Sequence, residues 1–296
     1  MLQIHCLKPW FFLIAPFFIA KKIFQKILSK KIFPNGAHHI RKNLPEGTGV
    51  TLVDVTSAYA VFGVMGPKSR DVLSALTSAD LSDEAFAFAT SRQISLGYAT
   101  VRATRITYVG ELGWELYVPA EFAVGVYEDL MQAGARFGVG RGGYYTIESL
   151  RLEKGYRAFG RELTPSENPV EAGLLFACKL RTDITFLGRE AVEKAKAEGP
   201  RKKLVGFTVD SPDAMLWGGE LIMRDGAVAG QVTSAAWGET TGSCVGLAYV
   251  RASDNSVINA EWVKAASYQV NVGGQLYPVS VSLKPLYDPT NERIRP

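Results

Sequence analysis

Beyond residue 200 the chain reads as short strands separated by tight turns, and that leaves few folds open. LVGFTV (204–209), ELIMR (220–224), VAGQVTS (228–234), VGLAYV (245–250), YQVNV (268–272) and YPVSVSL (277–283) are each strand-length. Asp225-Gly226 and Gly273-Gly274 are dipeptides that suit hairpin turns with positive φ. Such a run of strands predicts an antiparallel barrel or sandwich.

The preceding stretch, from about Thr48 to 200, mixes both element types. TLVDVT (51–56) and AVFGVMG (60–66) read as short buried strands, the second closed by Gly66-Pro67. Pro67 suits the opening of a helix, and Val72, Leu73 and Leu76 give that helix an apolar stripe. Residues 98–108 read as a strand through Ala99, Val101 and Ala103, with a phase slip at Ile106 and Tyr108 that predicts a bulge or a change of strand. Gly110 to Gly113 make a turn, and WELYV (114–118) returns. Phe122, Val126 and Leu130, with Tyr127 and Met131 beside them, mark a helix of period 3.6. Further helices are expected over about 146–154 and 187–197, the latter carrying a Glu190–Lys194 pair and ended by Gly199-Pro200. The fold class is α+β: residues 48–200 form a mixed domain and 201–296 a β-barrel domain.

Residues 1–47 stand apart. Lys and Arg number 33 and Asp and Glu 29; eight of the basic residues and none of the acids lie in residues 1–45, so the rest carries 25 against 29. A mildly acidic body offers no nucleic-acid footprint. PWFFLIAPFFIA (9–20) is an apolar run of twelve interrupted by Pro16, short of the ~20 residues of a spanning helix. Three readings stay open for it. It is a secretory signal, a targeting or membrane-surface peptide extending through the basic, acid-free residues to 33, or a foreign start from splicing or a gene boundary. The abrupt change of composition near Pro45 favours the last, and the segment is set aside from the fold argument.

All three histidines, His5, His38 and His39, also lie in this segment. The body therefore has no Ser-His-Asp triad, Cys-His dyad or histidine metal site of its own. Cys6, Cys178 and Cys244 are far apart and form no CxxC pair, so buried reduced thiols are expected.

Three segments carry chemistry-bearing residues. On strand 114–118, Trp114, Leu116 and Val118 share one face, and Glu115 and Tyr117 the other. A carboxylate beside a phenol suits a heterocycle with several N–H donors. An ordinary amphipathic hairpin with an exposed Glu accounts for the same pattern. In TIESLRLEKGYRAFGREL (146–163), Glu148, Arg151 and Glu153 sit at helical spacing, followed by Arg157 and Arg161. Either these contact an anionic ligand or they form a solvated ion-pair face. The glycine-rich link 138–143 follows a helix rather than a strand, which argues against a dinucleotide fingerprint.

DVTSAYAVFGVMGPKSRDVL, YVGELGWELYVP, IESLRLEKGYRAFGREL, TPSENPVEAGL, FLGREAV and WGGELIMRDGAVAGQVTSAAWG…VGLAYV, in this order, resemble the aminomethyltransferase family, the glycine-cleavage T-protein. The likeness is greatest to the C-terminal folate module of sarcosine and dimethylglycine dehydrogenases, and covers about 50–290. It implies two α+β parts and a C-terminal β-barrel around a tetrahydrofolate site. It further implies that Glu115, the second Glu of GELGWELY, grips the pterin ring, with Tyr117, Leu116 and Tyr108 close by. In such dehydrogenases an FAD domain oxidises an N-methyl amine and the one-carbon unit passes to tetrahydrofolate.

Two departures follow from the same comparison. Ile147 stands where the T-protein has an arginine, which favours the amine-dehydrogenase branch. The family's catalytic aspartate lies before DVTSAYAVFGV, where this chain has its basic N-terminus, and Asp54 belongs to the later DVT motif. No catalytic residue or metal ligand is therefore assigned, and FAD is expected on the full-length relatives rather than here. The resemblance thus implies a folate-binding module, incomplete as an enzyme by itself, relying on an FAD domain or a partner subunit. The alternative is a non-catalytic subunit like the regulatory subunit of pyruvate dehydrogenase phosphatase. In a eukaryote the implied location is the mitochondrial matrix; membrane association through residues 9–33 is the other location considered.

Overall fold

Trp114, Leu116 and Val118 anchor the first half of the molecule, because their shared face collects nearly every large apolar side chain around them. The computed structural model describes residues 33–47 and 49–295. These divide into two compact units: residues up to Ile147 together with those from Asn291 onward, and Glu148–Thr290. The apolar run 9–20 and Cys6 lie outside the described residues.

The first unit opens with helix α1 (Phe33–Asn43), on residues the sequence reading had set aside. Its sheet contains β1 (Tyr59–Met65), β2 (Ser91–Leu96), β3 (Ala99–Thr104) and β4 (Gly113–Pro119), ordered β1-β4-β3-β2 and antiparallel throughout. Helices α2 (Ser69–Ser74) and α3 (Ala123–Gly134) bury Val72, Leu73, Val126 and Leu130 in one core with Trp114, Leu116 and Val118 of β4, Val101 and Ala103 of β3, and Ile94 and Leu96 of β2. One sheet face thus belongs to the core, as the alternation in β4 requires.

The expected strand over 51–56 is absent. Residues 51–55 are irregular and a single 3-10 turn spans Thr56–Ala58, with Val53 exposed. The expected strand 98–108 ends at Thr104. Arg105 leaves the sheet because its guanidinium turns inward, donating to the Phe86 carbonyl at 2.8 Å and pairing with Asp83 at 2.5 Å. The phase slip at Ile106 and Tyr108 marks this exit from the sheet.

In the second unit six strands close into a barrel, β5 (Lys202–Val209), β6 (Leu221–Arg224), β7 (Ala227–Gly238), β8 (Ser243–Arg251), β9 (Tyr268–Val272) and β10 (Gln275–Ser282), ordered β10-β5-β8-β7-β6-β9. Asp225 and Gly226 have φ of 50° and 81°, and Gly273 and Gly274 have 60° and 95°, the backbone that tight hairpins demand. Val205, Phe207, Val209, Cys244, Ala248, Val250 and Val270 fill the interior. A short helix, α6 (Ala260–Lys264), interrupts the expected all-strand run; the Asn259 side chain caps it by accepting from the Trp262 N–H at 2.8 Å.

The boundary between the units falls inside helix α4 (Tyr144–Glu153), well before the change to all-strand sequence near residue 200. Leu152 explains why. It packs on Leu204, Val245 and Leu247, the outward-facing side chains of β5 and β8, so the last part of α4 covers the barrel's outer surface. Helix α5 (Arg189–Glu198) carries the pairs Arg189–Glu193 and Lys194–Glu198 in place of the expected Glu190–Lys194. Cys244 is buried, whereas Cys178 is half-exposed.

Candidate functional site

The register of the four-stranded sheet decides what surrounds Glu115. Residues directly opposite on neighbouring strands share a face. Glu115 lies between Gly63 of β1 and Thr104 of β3, and Tyr117 between Val61 and Arg102. On the outer strand, Thr104 faces Ser91 and Arg102 faces Gln93. Around Glu115 and Tyr117 the face away from the core therefore also carries the Arg102 guanidinium, the Thr104 and Ser91 hydroxyls and the Gln93 amide.

Glu115 is no exposed surface acid: it is 2% exposed. The Tyr117 hydroxyl donates to its Oε2 at 3.0 Å. Burial first, then the Glu115 charge and this hydrogen bond, push the phenol far above its ordinary pKa, partly opposed by Arg102, so Tyr117 remains a protonated donor. The Thr104 hydroxyl donates to Ser91 Oγ at 3.0 Å. Exposure increases away from Glu115, through half-buried Tyr117 and Arg102 to exposed Gln93 and Ser91. A buried carboxylate at the closed end of a polar strip accepts hydrogen bonds from paired N–H groups strongly, because water competes little there.

The other two candidates fall differently. Leu116 is fully buried in the core on the opposite face, so its side chain is not offered to this surface. Tyr108 is half-buried in the irregular segment between β3 and β4. Sequence reasoning missed Arg102 and Thr104. Their place beside Glu115 depends on register, which the alternation within one strand does not reveal.

Behind the sheet, Trp114 lies beneath two guanidiniums, Arg70 at 6.0 Å and Arg105 at 5.7 Å from the ring centroid. Both arginines pair with Asp83. A surface cavity of about 360 Å³ is lined by Arg70, Ser74 and residues 79–84. Its walls carry Asp80, Asp83 and Glu84, so it is not a ready anion site.

In the segment 146–163 the Glu148–Arg151 pair forms and exposed Arg161 joins it at 3.2 Å to Glu148, but Arg151 itself turns inward. Arg151 is wholly buried rather than on a solvated face or open to a ligand. It donates to Glu162 Oε2 at 2.8 Å, to Glu148 Oε2 at 2.6 Å and to Ser234 Oγ at 2.9 Å. Glu162, also wholly buried, accepts from the Ala158 N–H, Thr233 and Ser234 as well. This network fastens α4 and the following loop to β7.

Glu153 makes a second tie. Its Oε1 accepts the Thr240 and Thr241 N–H groups at 2.8 and 2.7 Å, holding the turn between β7 and β8, while Oε2 is buried without a partner. Burial raises its pKa against the pull of those bonds. The folded state therefore holds the proton more tightly than the unfolded chain, and wild-type stability rises as pH falls through the folded pKa toward the ordinary carboxylate range. Glu153→Gln removes that linkage. In denaturant titrations stepped from pH 7.5 down into the ordinary carboxylate range, wild type should gain on the variant as the pH falls. A gap independent of pH would show that Glu153 is not held as a raised-pKa acid.

Among the described residues, no cluster of three or more His, Cys, Asp or Glu is placed to hold a metal ion, and no helix is long and apolar enough to cross a membrane.

Residues 19–182 match the family model of the GCVT N-terminal domain, and 202–288 that of the glycine cleavage T-protein C-terminal barrel domain. The first match begins inside the segment set aside above. The mitochondrial sarcosine and dimethylglycine dehydrogenases of Mus musculus are 41% and 37% identical over 244 and 251 residues, 82% and 84% of this chain but 26% and 28% of theirs. The mitochondrial pyruvate dehydrogenase phosphatase regulatory subunit of Mus musculus is 33% identical over 83% of this chain and 29% of its own. The chain thus spans between a quarter and a third of these relatives. The crystal structure of the glycine cleavage system aminomethyltransferase T from Bartonella henselae superposes with a TM-score of 0.70 at 22% identity, covering 88% of this chain and 66% of that one, and shares its fold. Matched along most of its length by both domain models of the glycine-cleavage T-protein, the chain belongs to the aminomethyltransferase family.

Proposed function

We propose that this chain is the tetrahydrofolate-binding module of a sarcosine or dimethylglycine dehydrogenase-type protein, receiving a one-carbon unit released by oxidation of an N-methyl amine. The observation that carries this reading is Glu115, buried at the closed end of a polar sheet face with Tyr117 hydrogen-bonded to it. The residues fit a reduced pterin. Its 2-amino and ring N–H groups are donors on one edge, and a buried carboxylate is the acceptor that matches them. When bound, tetrahydrofolate supplies the nucleophilic nitrogens that take up the one-carbon unit. The chain's own residues bind and orient. Glu115 accepts the paired N–H groups, Tyr117 fixes the Glu115 carboxylate by donating to one oxygen, and the sheet keeps water from that end.

The source of the one-carbon unit lies outside the residues described, in an FAD domain or a partner subunit. The mitochondrial location of the relatives supports the mitochondrial matrix as the compartment.

Calorimetric titration with tetrahydrofolate tests the site. Glu115→Ala should weaken binding by about a hundred-fold, as expected for losing hydrogen bonds to a charged acceptor. Glu115→Gln, which keeps the volume but presents one acceptor atom in place of two, should weaken it nearly as much. Unchanged affinity in both variants would remove Glu115 from the site.

The similarity to the phosphatase regulatory subunit supports a second reading, a non-catalytic subunit that binds another protein. Under it, the folded chain would bind no tetrahydrofolate and would co-purify with a phosphatase.

A further inference from the structure

Arg102 is the one cation on the polar sheet face whose position follows from strand register alone. It is directly opposite Tyr117 and diagonal to Glu115, a separation of about 7–8 Å between Cα atoms. It is half-buried. Among the described residues its guanidinium has no hydrogen bond or ion pair, whereas Arg70, Arg105, Arg151 and Arg157 are all engaged. On its other side is the exposed Gln93 of the edge strand β2. With no acceptor inside the protein, the guanidinium donors of this half-buried residue are met by solvent and stand available to a ligand acceptor.

Glu115 and Arg102 together present acceptors and then donors along one line of the sheet face. The ligand edge that complements this order carries two N–H donors followed by a carbonyl oxygen. That is the edge of a 2-amino-4-oxopyrimidine ring. We propose that Arg102 is a specificity-determining residue that donates to the 4-oxo oxygen while Glu115 accepts the neighbouring N–H groups, so that this face selects 4-oxo over 4-amino heterocycles. The inference rests on the function proposed above and names a second recognition element within the same site. A planar guanidinium suits the role better than an ammonium, since its N–H groups lie in the plane of the ring edge they meet.

The test compares two probes on the purified chain, tetrahydropterin and its 2,4-diamino analogue, by calorimetry. Arg102→Ala should weaken tetrahydropterin binding by about ten- to hundred-fold and leave the diamino analogue's affinity unchanged. A thermal melt matching that of wild type shows that the variant is folded. Arg102→Lys should recover only part of the tetrahydropterin affinity. Equal losses for both probes, or none for either, would overturn the role of Arg102. If wild type binds in a Glu115-dependent manner and Arg102→Ala is silent, only this inference falls. If wild type binds neither probe, or binds regardless of Glu115, the proposed function falls and takes the inference with it.

Discussion

Glu162→Ala should destabilise the barrel-containing unit by about 3–5 kcal/mol, the cost of leaving a buried charge without its partner. The geometry makes this site severe. Arg151 and Glu162 are both wholly buried, and their 2.8 Å contact is one of several bonds that also engage Ser234, Thr233 and the Ala158 N–H. Removing the carboxylate leaves Arg151 only the partly exposed Glu148 as counter-charge and takes an acceptor from two hydroxyls and an amide. Against a typical total of 5–15 kcal/mol, that is a large share. Glu148→Ala should cost much less. Its side chain is 24% exposed, so water enters when it goes, and Arg151 keeps Glu162. The paired replacement Arg151→Met with Glu162→Leu should recover part of the loss, because the buried cation goes with its partner, while the Ala158 N–H and the Ser234 hydroxyl still lack their acceptor. Urea titration of wild type, Arg151→Met, Glu162→Leu and the paired variant closes a double-mutant cycle that measures the coupling. A loss below about 1 kcal/mol for Glu162→Ala would mean that solvent reaches Arg151 and the burial argument is wrong.

Gly230→Ala should be nearly as damaging by an unrelated route. A Cβ at this position would stand 1.9 Å from the Tyr249 carbonyl oxygen and 3.5 Å from the Val250 Cα. Both are backbone atoms of β8, the strand paired with Gly230, so no side chain can swing aside. Accommodation requires parting two strands of a closed barrel, and about 3 kcal/mol or more is expected, at the upper end for overpacking. Gly125→Ala is the matching control. It lies in α3 with nothing within 4 Å of the new methyl, and should leave stability unchanged or slightly raised. Thermal melts of the two variants separate a steric cause from a general effect of losing glycine. A Gly230→Ala protein that melts like wild type would mean the β7–β8 pairing is looser than its register implies.

The barrel was legible because each of its six strands is short, apolar and bounded by turn residues, and because Asp225-Gly226 and Gly273-Gly274 demand hairpins. β2 was not legible: Ser91, Arg92 and Gln93 are exposed, and only Ile94 and Leu96 reach the core. A strand with two inward apolar residues resembles a loop until its neighbour is known. TLVDVT misled for the opposite reason, having strand-like composition but no strand to pair with. At the candidate site, the alternation that separates Glu115 and Tyr117 from Trp114, Leu116 and Val118 was readable within one strand. Glu115's burial and its alignment with Arg102 depend on β1 and β3, and no local pattern encodes those. The Arg151 network was misread because helical spacing identifies which side chains share a face, but not whether that face meets solvent or a barrel.

The barrel's strand order carries a consequence for synthesis on the ribosome. β5 pairs with β8 and β10, and β10 lies between β5 and β9. The earliest strand of the barrel therefore waits for the last, and the cylinder cannot close until the chain has been translated through Ser282 and has cleared the exit tunnel. Until then β5 and β9 each present an open edge, the form in which nascent strands are most prone to pair with the wrong chain. Ribosomes arrested before β10 should hold the barrel segment in a protease-sensitive state, and those arrested beyond it should not. Closure of this module is thus timed by the emergence of its last strand rather than by the order in which its hairpins form.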